Sequence, residues 1–330
     1  MESAPPPGWQ VRFRDLEGVD SVRAFAQHLY DDAIALLPGR TKTFARVKAF
    51  LQRVSGSIEL SNVKLTLADD DWQQLIESLF DDLEEALAHR NERVVFLWDE
   101  LTLFLGDMIL RGQERDAMLL LDTLRAARQR CSRLRMVLTG SIGFRLVKRQ
   151  LDAKGYRNEP INDVRIEPVP MLEPADAKPL VEALLRGIDV EPRTEIVESI
   201  IEESEGHPFV IQHLVESLRS NPNPTAEHVA ASIAALLLPS SVLDLGHYAS
   251  RLSKYYGNGE PLALAVLDAL ARAPNGMSFD DLVAHLSMNR HAVLPTVQAL
   301  RDDDYITQQG RHLRFALDFV RRYWCEDRML

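Results

Sequence analysis

The sequence of 330 residues has only two cysteines, Cys131 and Cys325, far apart along the chain. They form neither a metal-ligand spacing nor a disulfide framework, so a reducing, cytoplasmic setting is expected. Apolar runs such as Ala234-Ala235-Leu236-Leu237-Leu238, which is closed by Pro239, fall far short of the roughly 18 residues of a membrane span. No excess of positive charge exists either. Lys plus Arg is 38 and Asp plus Glu is 49, a net charge of −11. This balance argues against a protein that coats DNA or an anionic membrane through its overall field, and leaves room only for a local basic patch. The opening Met1-Glu2-Ser3-Ala4-Pro5-Pro6-Pro7-Gly8 lacks a basic start and an apolar stretch. It is expected to be a loop and not a signal peptide. Internal repeats and low-complexity tracts are absent.

What is present is the composition of a folded protein, 46% hydrophobic and 26% charged. At about 100–200 residues per domain, two or three domains are expected. Trp9 to Glu17 alternates apolar and polar residues as a strand does. Helices are expected from Asp20 or Ser21 to about 37, from about 43 to 54, and from the Asp69-Asp70-Asp71 cap to about Arg90. The alternation across Ser57–Leu67, with Ser61-Asn62 at its centre, reads as a hairpin. Val94-Val95-Phe96-Leu97-Trp98-Asp99-Glu100 is a continuous apolar run bounded by charge, the pattern of a strand buried on both faces of a parallel sheet. A helix over about Gln113–Cys131 leads to a second such strand, Arg135–Ser141. Val164–Val169, ending at Pro170, is a third candidate. Strands alternating with helices indicate an α/β layer architecture.

Beyond Glu173 the strand signal fades. Helices are expected at about 174–186, 192–204, 208–220, 225–238 and 240–255. After the Tyr256–Pro261 turn come helices at 262–272, 279–286 and 290–302, a short hairpin formed by Tyr305–Thr307 and His312–Phe315, and a last helix from about Ala316 to Cys325. That is the element order of a winged helix.

The chemistry-bearing candidates are few. Asp99 and Glu100 are adjacent carboxylates at the carboxyl end of an apolar strand, where α/β sheets place ligands. In a nucleotide hydrolase the first acid holds Mg²⁺ and the second polarises the attacking water. A plainer reading makes Asp99 the N-cap of a helix starting at Leu101. Thr139 and Ser141 end the next strand, where a hydroxyl can bond a phosphate or the attacking water, or simply cap the helix at 142–150. Gly206-His207-Pro208 opens a helix with proline in its first turn, which is ordinary helix chemistry.

Taken in order, these stretches resemble the archaeal-type ATPases of the STAND branch, relatives of the origin-recognition AAA proteins. Val11–Glu17 matches the strand after Walker A and Val94–Glu100 matches Walker B. Met136–Ser141 matches sensor 1. Asn162–Leu172 with Ala175–Leu185 matches the last strand and first lid helix, and Gly206–Pro208 the lid motif. The segment from about 260 matches the winged helix. The resemblance implies an α/β P-loop NTPase with an ASCE-type parallel sheet over 1–172, a helical lid over 173–257 and a winged helix over 258–330. It implies ATP and Mg²⁺ as cofactors. Asp99 would be the metal ligand, Glu100 the catalytic carboxylate, Ser141 or Thr139 the sensor, and Gly206, His207 and Pro208 the nucleotide-side lid residues. Arg128, Arg130, Arg133, Arg135 and Arg145 are the candidates for a completing arginine.

The family's phosphate loop, GxxxxGK[ST], whose backbone amides cradle the phosphates, has no counterpart here. Gly39-Arg40-Thr41-Lys42-Thr43 lacks the second glycine and a preceding buried strand, and reads as a helix-start turn. The family's first strand lies at the centre of the sheet, so its loss would leave strand edges unpaired. The chain is therefore expected to be a fragment, with a pseudo-ATPase whose sheet is completed in another way as the rival.

From Asn258 to Leu330 there are 8 Arg, no Lys and 10 Asp plus Glu, a net of −2. DNA readers of this fold are normally basic. A protein partner or self-association is expected in preference to DNA, although Arg311, Arg314, Arg321 and Arg322 form a basic cluster. Three functions compete: a nucleotide-driven switch, a winged-helix DNA-binding regulator, and a nucleotide-blind protein scaffold.

Overall fold

The computed structural model describes residues 5–36, 44–55 and 71–330. The expected hairpin at Ser57–Leu67 and the Gly39–Thr43 turn lie outside them. The chain divides into two compact units, Met1–Arg165 and Ile166–Leu330.

In the first unit, β1 (Trp9–Asp15), β2 (Arg93–Asp99) and β3 (Leu134–Leu138) form a parallel sheet in the order β1-β2-β3. Between β1 and β2 run α1 (Val22–Leu36), α2 (Ala45–Ser55) and α3 (Asp71–Arg90). Helices α4 (Leu101–Leu110) and α5 (Glu114–Arg130) join β2 to β3, and α6 (Phe144–Ala153) follows. Successive side chains of a strand point to opposite faces, and the two faces of β2 differ. Val94, Phe96 and Trp98 are fully buried. Phe96 meets Phe80 of α3 edge-on at 6.2 Å, while Trp98 meets Phe25 of α1 at 5.1 Å. Phe25 also stacks on Phe104 of α4. Helices thus cover this face. On the other face Val95 and Leu97 are only half-buried.

Asp82, buried in α3, fixes α2. Its carboxylate accepts from the amides of Arg46 and Val47 at 3.0 Å each and from Arg46 Nη1 at 2.8 Å. A carboxylate on the first turn of a neighbouring helix satisfies amides that have no intrahelical partner. Cys131 is buried, which pushes its thiol up to about 11, so it stays protonated and unreactive at neutral pH.

The third expected strand does not form. Residues 164–169 are irregular, with Ile166 61% and Val169 91% exposed. Pro168 and Pro170 remove backbone donors from this stretch, and alternation of Val and Ile alone does not make a strand without a ladder partner.

The second unit contains α7 (Pro174–Gly187), α8 (Thr194–Ser204), α9 (Pro208–Ser217), α10 (Ala226–Leu236) and α11 (His247–Tyr255). It continues through α12 (Glu260–Ala271), β4 (Met277–Ser278), α13 (Phe279–Leu286), α14 (Arg290–Asp302), β5 (Ile306–Gln309), β6 (His312–Phe315) and α15 (Asp318–Arg328). The three short strands form an antiparallel sheet in the order β4-β6-β5. One apolar core runs through the unit, from Val181 and Ile200 to Leu267, Leu300 and Trp324. The expected helix over 240–255 is shorter than its hydrophobic pattern. Asp244 takes a left-handed φ of 41° and Ser241 turns its hydroxyl back onto the Leu236 carbonyl. Leu243 and Leu245 are therefore buried from an irregular turn.

Candidate functional site

Parallel pairing puts the ends of the strands at one edge. Asp15 is the register partner of Asp99, and the Leu16 amide donates to the Asp99 carbonyl at 3.0 Å. On the other side, the Thr139 amide donates to the Trp98 carbonyl at 2.9 Å. Asp15, Asp99, Glu100 and the Thr139–Ser141 turn thus share the carboxyl edge of the sheet, where α/β folds place ligands.

Each acid of the pair is held by one hydroxyl of the neighbouring strand end. Thr139 Oγ1 donates to Asp99 Oδ1 at 2.6 Å, and the Glu100 amide donates to the same oxygen at 3.0 Å. Ser141 donates both its amide and its hydroxyl to Glu100 Oε2, each at 2.9 Å. Among the described residues, Asp99 Oδ2 and Glu100 Oε1 accept no hydrogen bond. Each carboxylate is oriented through one oxygen and presents the other.

The plainer capping readings do not hold. Glu100 itself occupies the N-cap of α4, with no side-chain bond to the helix amides. The Leu101 amide donates to the Thr139 carbonyl at 3.1 Å. Glu100 has φ 56°, a left-handed conformation that costs a non-glycine residue roughly 1–3 kcal/mol and clusters at functional sites. Ser141 does not cap α6, whose N-cap is Gly143.

Two further residues shape this edge without a signal in the sequence. Thr102, in the first turn of α4, is buried, and its Oγ1 has no hydrogen-bond partner among the described residues. A Cβ added at Gly140 would overlap that oxygen. Gly140 is therefore required by close approach to α4, and the Thr139–Ser141 turn lies tight against the helix that carries Glu100 at its cap.

Arg128, Arg130, Arg133 and Arg135 have structural partners. Arg128 grips Asp163 through two bonds, at 3.1 and 2.8 Å, and the Pro160 carbonyl at 2.7 Å. Arg130 pairs with Asp81 at 2.8 Å. Arg133 bonds the Glu92 carbonyl at 3.1 Å, and Arg135 bonds the carbonyls of Ser132 and Leu134. These last two lie at the amino end of β3, away from Thr139.

Gly206, His207 and Pro208 lie in the second unit, and their surroundings there are structural. Gly206 has φ 71°, and a Cβ on it would overlap the Leu172 carbonyl. The Leu172 amide donates to the Gly206 carbonyl at 3.0 Å. Pro208 opens α9. The His207 ring meets Phe319 of α15 edge-on at 5.6 Å, and burial lowers its pKa. Beside it, Glu205 accepts from the Phe319 amide at 3.0 Å, and Glu203 pairs with Arg322 at 2.7 Å. Both carboxylates bind α15. Two arginines of the basic cluster, Arg321 and Arg322, are likewise engaged, and so is Arg290. Arg321 bonds Asp318 and the Ala271 carbonyl, Arg322 bonds Glu203, and Arg290 pairs with Asp280 while lying over the Phe279 ring.

The donor set fits one half of a magnesium–nucleotide site. Among the described residues, no cluster of three His, Cys, Asp or Glu side chains could hold a metal directly. Mg²⁺ does not need one, because it keeps several waters and takes one or two carboxylates plus phosphates, and Asp99 presents one free oxygen. The phosphate half does not fit, since the sequence has no GxxxxGK[ST] segment. No helix among the described residues is long and apolar enough to cross a membrane.

No protein-family model matches the chain, and no curated protein matches it significantly. Among solved structures it is similar to a Walker-type ATPase of Pyrococcus abyssi, with a TM-score of 0.57 and 14% identity, over 95% of this chain and 83% of that one. The chain shares that fold. A second similarity, to the Holliday-junction branch-migration motor RuvB of Thermotoga maritima, has a TM-score of 0.32 at 14% identity, over 73% of this chain and 79% of that one, too low to bear on the argument.

Proposed function

We propose that the chain is the acid-bearing part of an ATP-binding module of STAND or AAA type, working as a nucleotide-dependent switch. The observation that carries this reading is the paired locking of Asp99 by Thr139 and of Glu100 by Ser141 at the carboxyl edge of a parallel sheet, in a chain with the fold of a Walker-type ATPase. Neither acid's side chain bonds an amide of α4, so the arrangement lacks the usual structural explanation.

In this reading Asp99 turns its free oxygen to the hydration shell of Mg²⁺, which when bound neutralises phosphate charge. Thr139 fixes the direction of that carboxylate. Ser141 holds Glu100 so that its free oxygen can orient a water or take its proton. In the second unit, α7–α11 serve as the lid, and α12–α14 with the β4-β6-β5 sheet serve as a winged helix. The internal pairing of Arg290, Arg321 and Arg322 favours protein docking by that winged helix over DNA reading.

The test is Mg-ATP binding. Residues 1–330 are expected to bind weakly or not at all, because phosphate contacts supply much of the affinity for a nucleotide. Tight binding would show that the phosphate half is present after all. A protein supplied with a phosphate loop that still ignores ATP, or that binds it identically with Asp99→Asn, would sink the nucleotide reading.

A further inference from the structure

Two histidines meet where three helices of the second unit converge. His207 immediately precedes α9, and His247 opens α11. The His207 ring stands edge-on to Phe319 of α15 at 5.6 Å and to Phe209 of α9 at 6.5 Å. One turn further along α15 the start of α11 arrives, where a Cβ on Gly246 would lie 3.5 Å from the Tyr323 hydroxyl. Phe319 and Tyr323 are four residues apart and so share one face of α15. His247 lies close enough to His207 for a charge on one ring to oppose a charge on the other.

Neither ring is placed to carry a charge. His207 Nδ1 is buried and has no hydrogen-bond partner among the described residues. Its own backbone favours a proton on the ring, but burial outweighs this and His247 adds to the opposition. His247 donates from Nδ1 to the Asp244 carbonyl at 3.0 Å, and its ring lies 4.4 Å from that of Tyr248. Burial and Arg251 oppose a charge on it, while Asp244 favours one. The acids beside His207 are committed to α15. Glu203 bonds Arg322, and Glu205 accepts from the Phe319 amide with Arg314 facing it. On α15 itself Asp318 accepts from Arg321, and on α9 His213 packs on Phe209 at 4.4 Å.

We infer that His207 and His247 form an acid-operated latch, which holds α15 against α9 and α11 while both rings are neutral and loosens as they take up protons. Burial disfavours the charged form of each ring, so both accept protons more readily once the packing opens. The sign is that of a lowered histidine. The packed arrangement keeps its full stability above the ordinary value of 6.5 and loses it as pH falls below that value. Two charges side by side also repel, so the second proton costs the packed form more than the first. Glu205 acts in the opposite direction, because its pKa is raised and its share of stability grows as pH falls. A loss between about pH 7 and 5.5 therefore belongs to histidine and not to Glu205. The latch makes the tie between the Gly206-His207-Pro208 turn and the last helix depend on pH. It involves the second unit alone and stands or falls independently of the nucleotide reading.

The experiment is peptide-resolved hydrogen exchange of the whole chain at about pH 7.5 and about pH 5.5, corrected for the intrinsic pH dependence of exchange. Protection over 244–255 and 318–328 is expected to fall at least about tenfold at the lower pH, the factor that one pKa unit represents. Protection over α7, α8 and the first unit is expected to change by less than about threefold. The double variant His207→Gln, His247→Gln is expected to lose this difference between regions. Titration of the imidazoles by NMR in the unaltered chain needs no substitution, so a poorly folding variant does not spoil the test. Both rings are expected to titrate below 6.5. His247→Gln alone is expected to raise the His207 titration, because it removes the neighbouring charge. Three outcomes overturn the inference: a uniform loss of protection across the second unit, a pH response that survives in a folded double variant, or imidazoles that titrate at or above 6.5.

Discussion

Ser141 donates its amide and its hydroxyl to a single oxygen of Glu100, both at 2.9 Å. A left-handed residue is thereby fixed from the side-chain end by a turn 41 residues away in sequence. Removing the hydroxyl alone separates the two donors. Ser141→Ala is expected to lower stability by about 0.5–1.5 kcal/mol, the net worth of one hydrogen bond, in urea unfolding of the isolated chain. An unchanged midpoint would mean that the hydroxyl contributes nothing to holding Glu100.

Gly140 and Thr102 are predicted to be coupled. Gly140→Ala forces a methyl onto Thr102 Oγ1 and is expected to cost about 1–3 kcal/mol, as overpacking does. Thr102→Ala removes that oxygen. The double variant is expected to be more stable than the sum of the single losses predicts. Additive losses in the cycle would show that the clash is relieved in some other way. Thr102→Val is expected to be neutral or stabilising, because it replaces a buried hydroxyl that has no partner with a methyl group.

Asp82 holds two amides and a guanidinium nitrogen from a fully buried position. Asp82→Ala leaves the first turn of α2 without its acceptor and is expected to destabilise the first unit by about 1–3 kcal/mol. Protease sensitivity should rise first around residues 44–55. Equal sensitivity in both proteins would show that α2 is held by its apolar contacts alone.

Burial raises the Glu205 pKa above its ordinary value of 4.5, against the opposing bonds from the Phe319 and Asp318 amides. A carboxyl whose pKa is raised on folding contributes stability that is full below the unfolded value and is lost as pH rises through the folded one. Glu205→Gln keeps an acceptor for Phe319 and removes the titration. The variant is expected to gain stability over the parent as pH rises from about 4 to 7, and to show no gain at the acid end. His207, lowered by burial, has the opposite sign: its share is lost as pH falls below the ordinary histidine range. A parent and variant with parallel pH profiles would exclude Glu205 as the source.

A salt-dependent gel shift separates the partner classes. With Arg290, Arg321 and Arg322 engaged by acids of their own unit, no shift of duplex DNA is expected at low salt. A shift that weakens as salt rises would restore the DNA reading.

The sequence made some of this legible. The run Val94–Asp99 announced β2 and placed two acids at its end. It also suggested burial on both faces, whereas Val95 and Leu97 are only half-covered. A continuous apolar run reports what a strand is suited to, not what lies against it. The pairing of Thr139 with Asp99 and of Ser141 with Glu100 was beyond reach, because it depends on the register of β2 with β3. The need for glycine at position 140 depends on where the first turn of α4 passes. Residues 164–169 misled through their alternation, with Pro168 inside the stretch as the overlooked warning. Glu205 carried no signal in the sequence, and only the packed unit shows whose amides it bonds.

Glu203, Glu205 and His207 all hold α15, and they immediately flank or include the Gly206-His207-Pro208 turn. The turn and the final helix are therefore tied by two carboxylate bonds and a ring contact. Displacing that turn would disturb the Glu203 and Glu205 bonds to α15 together.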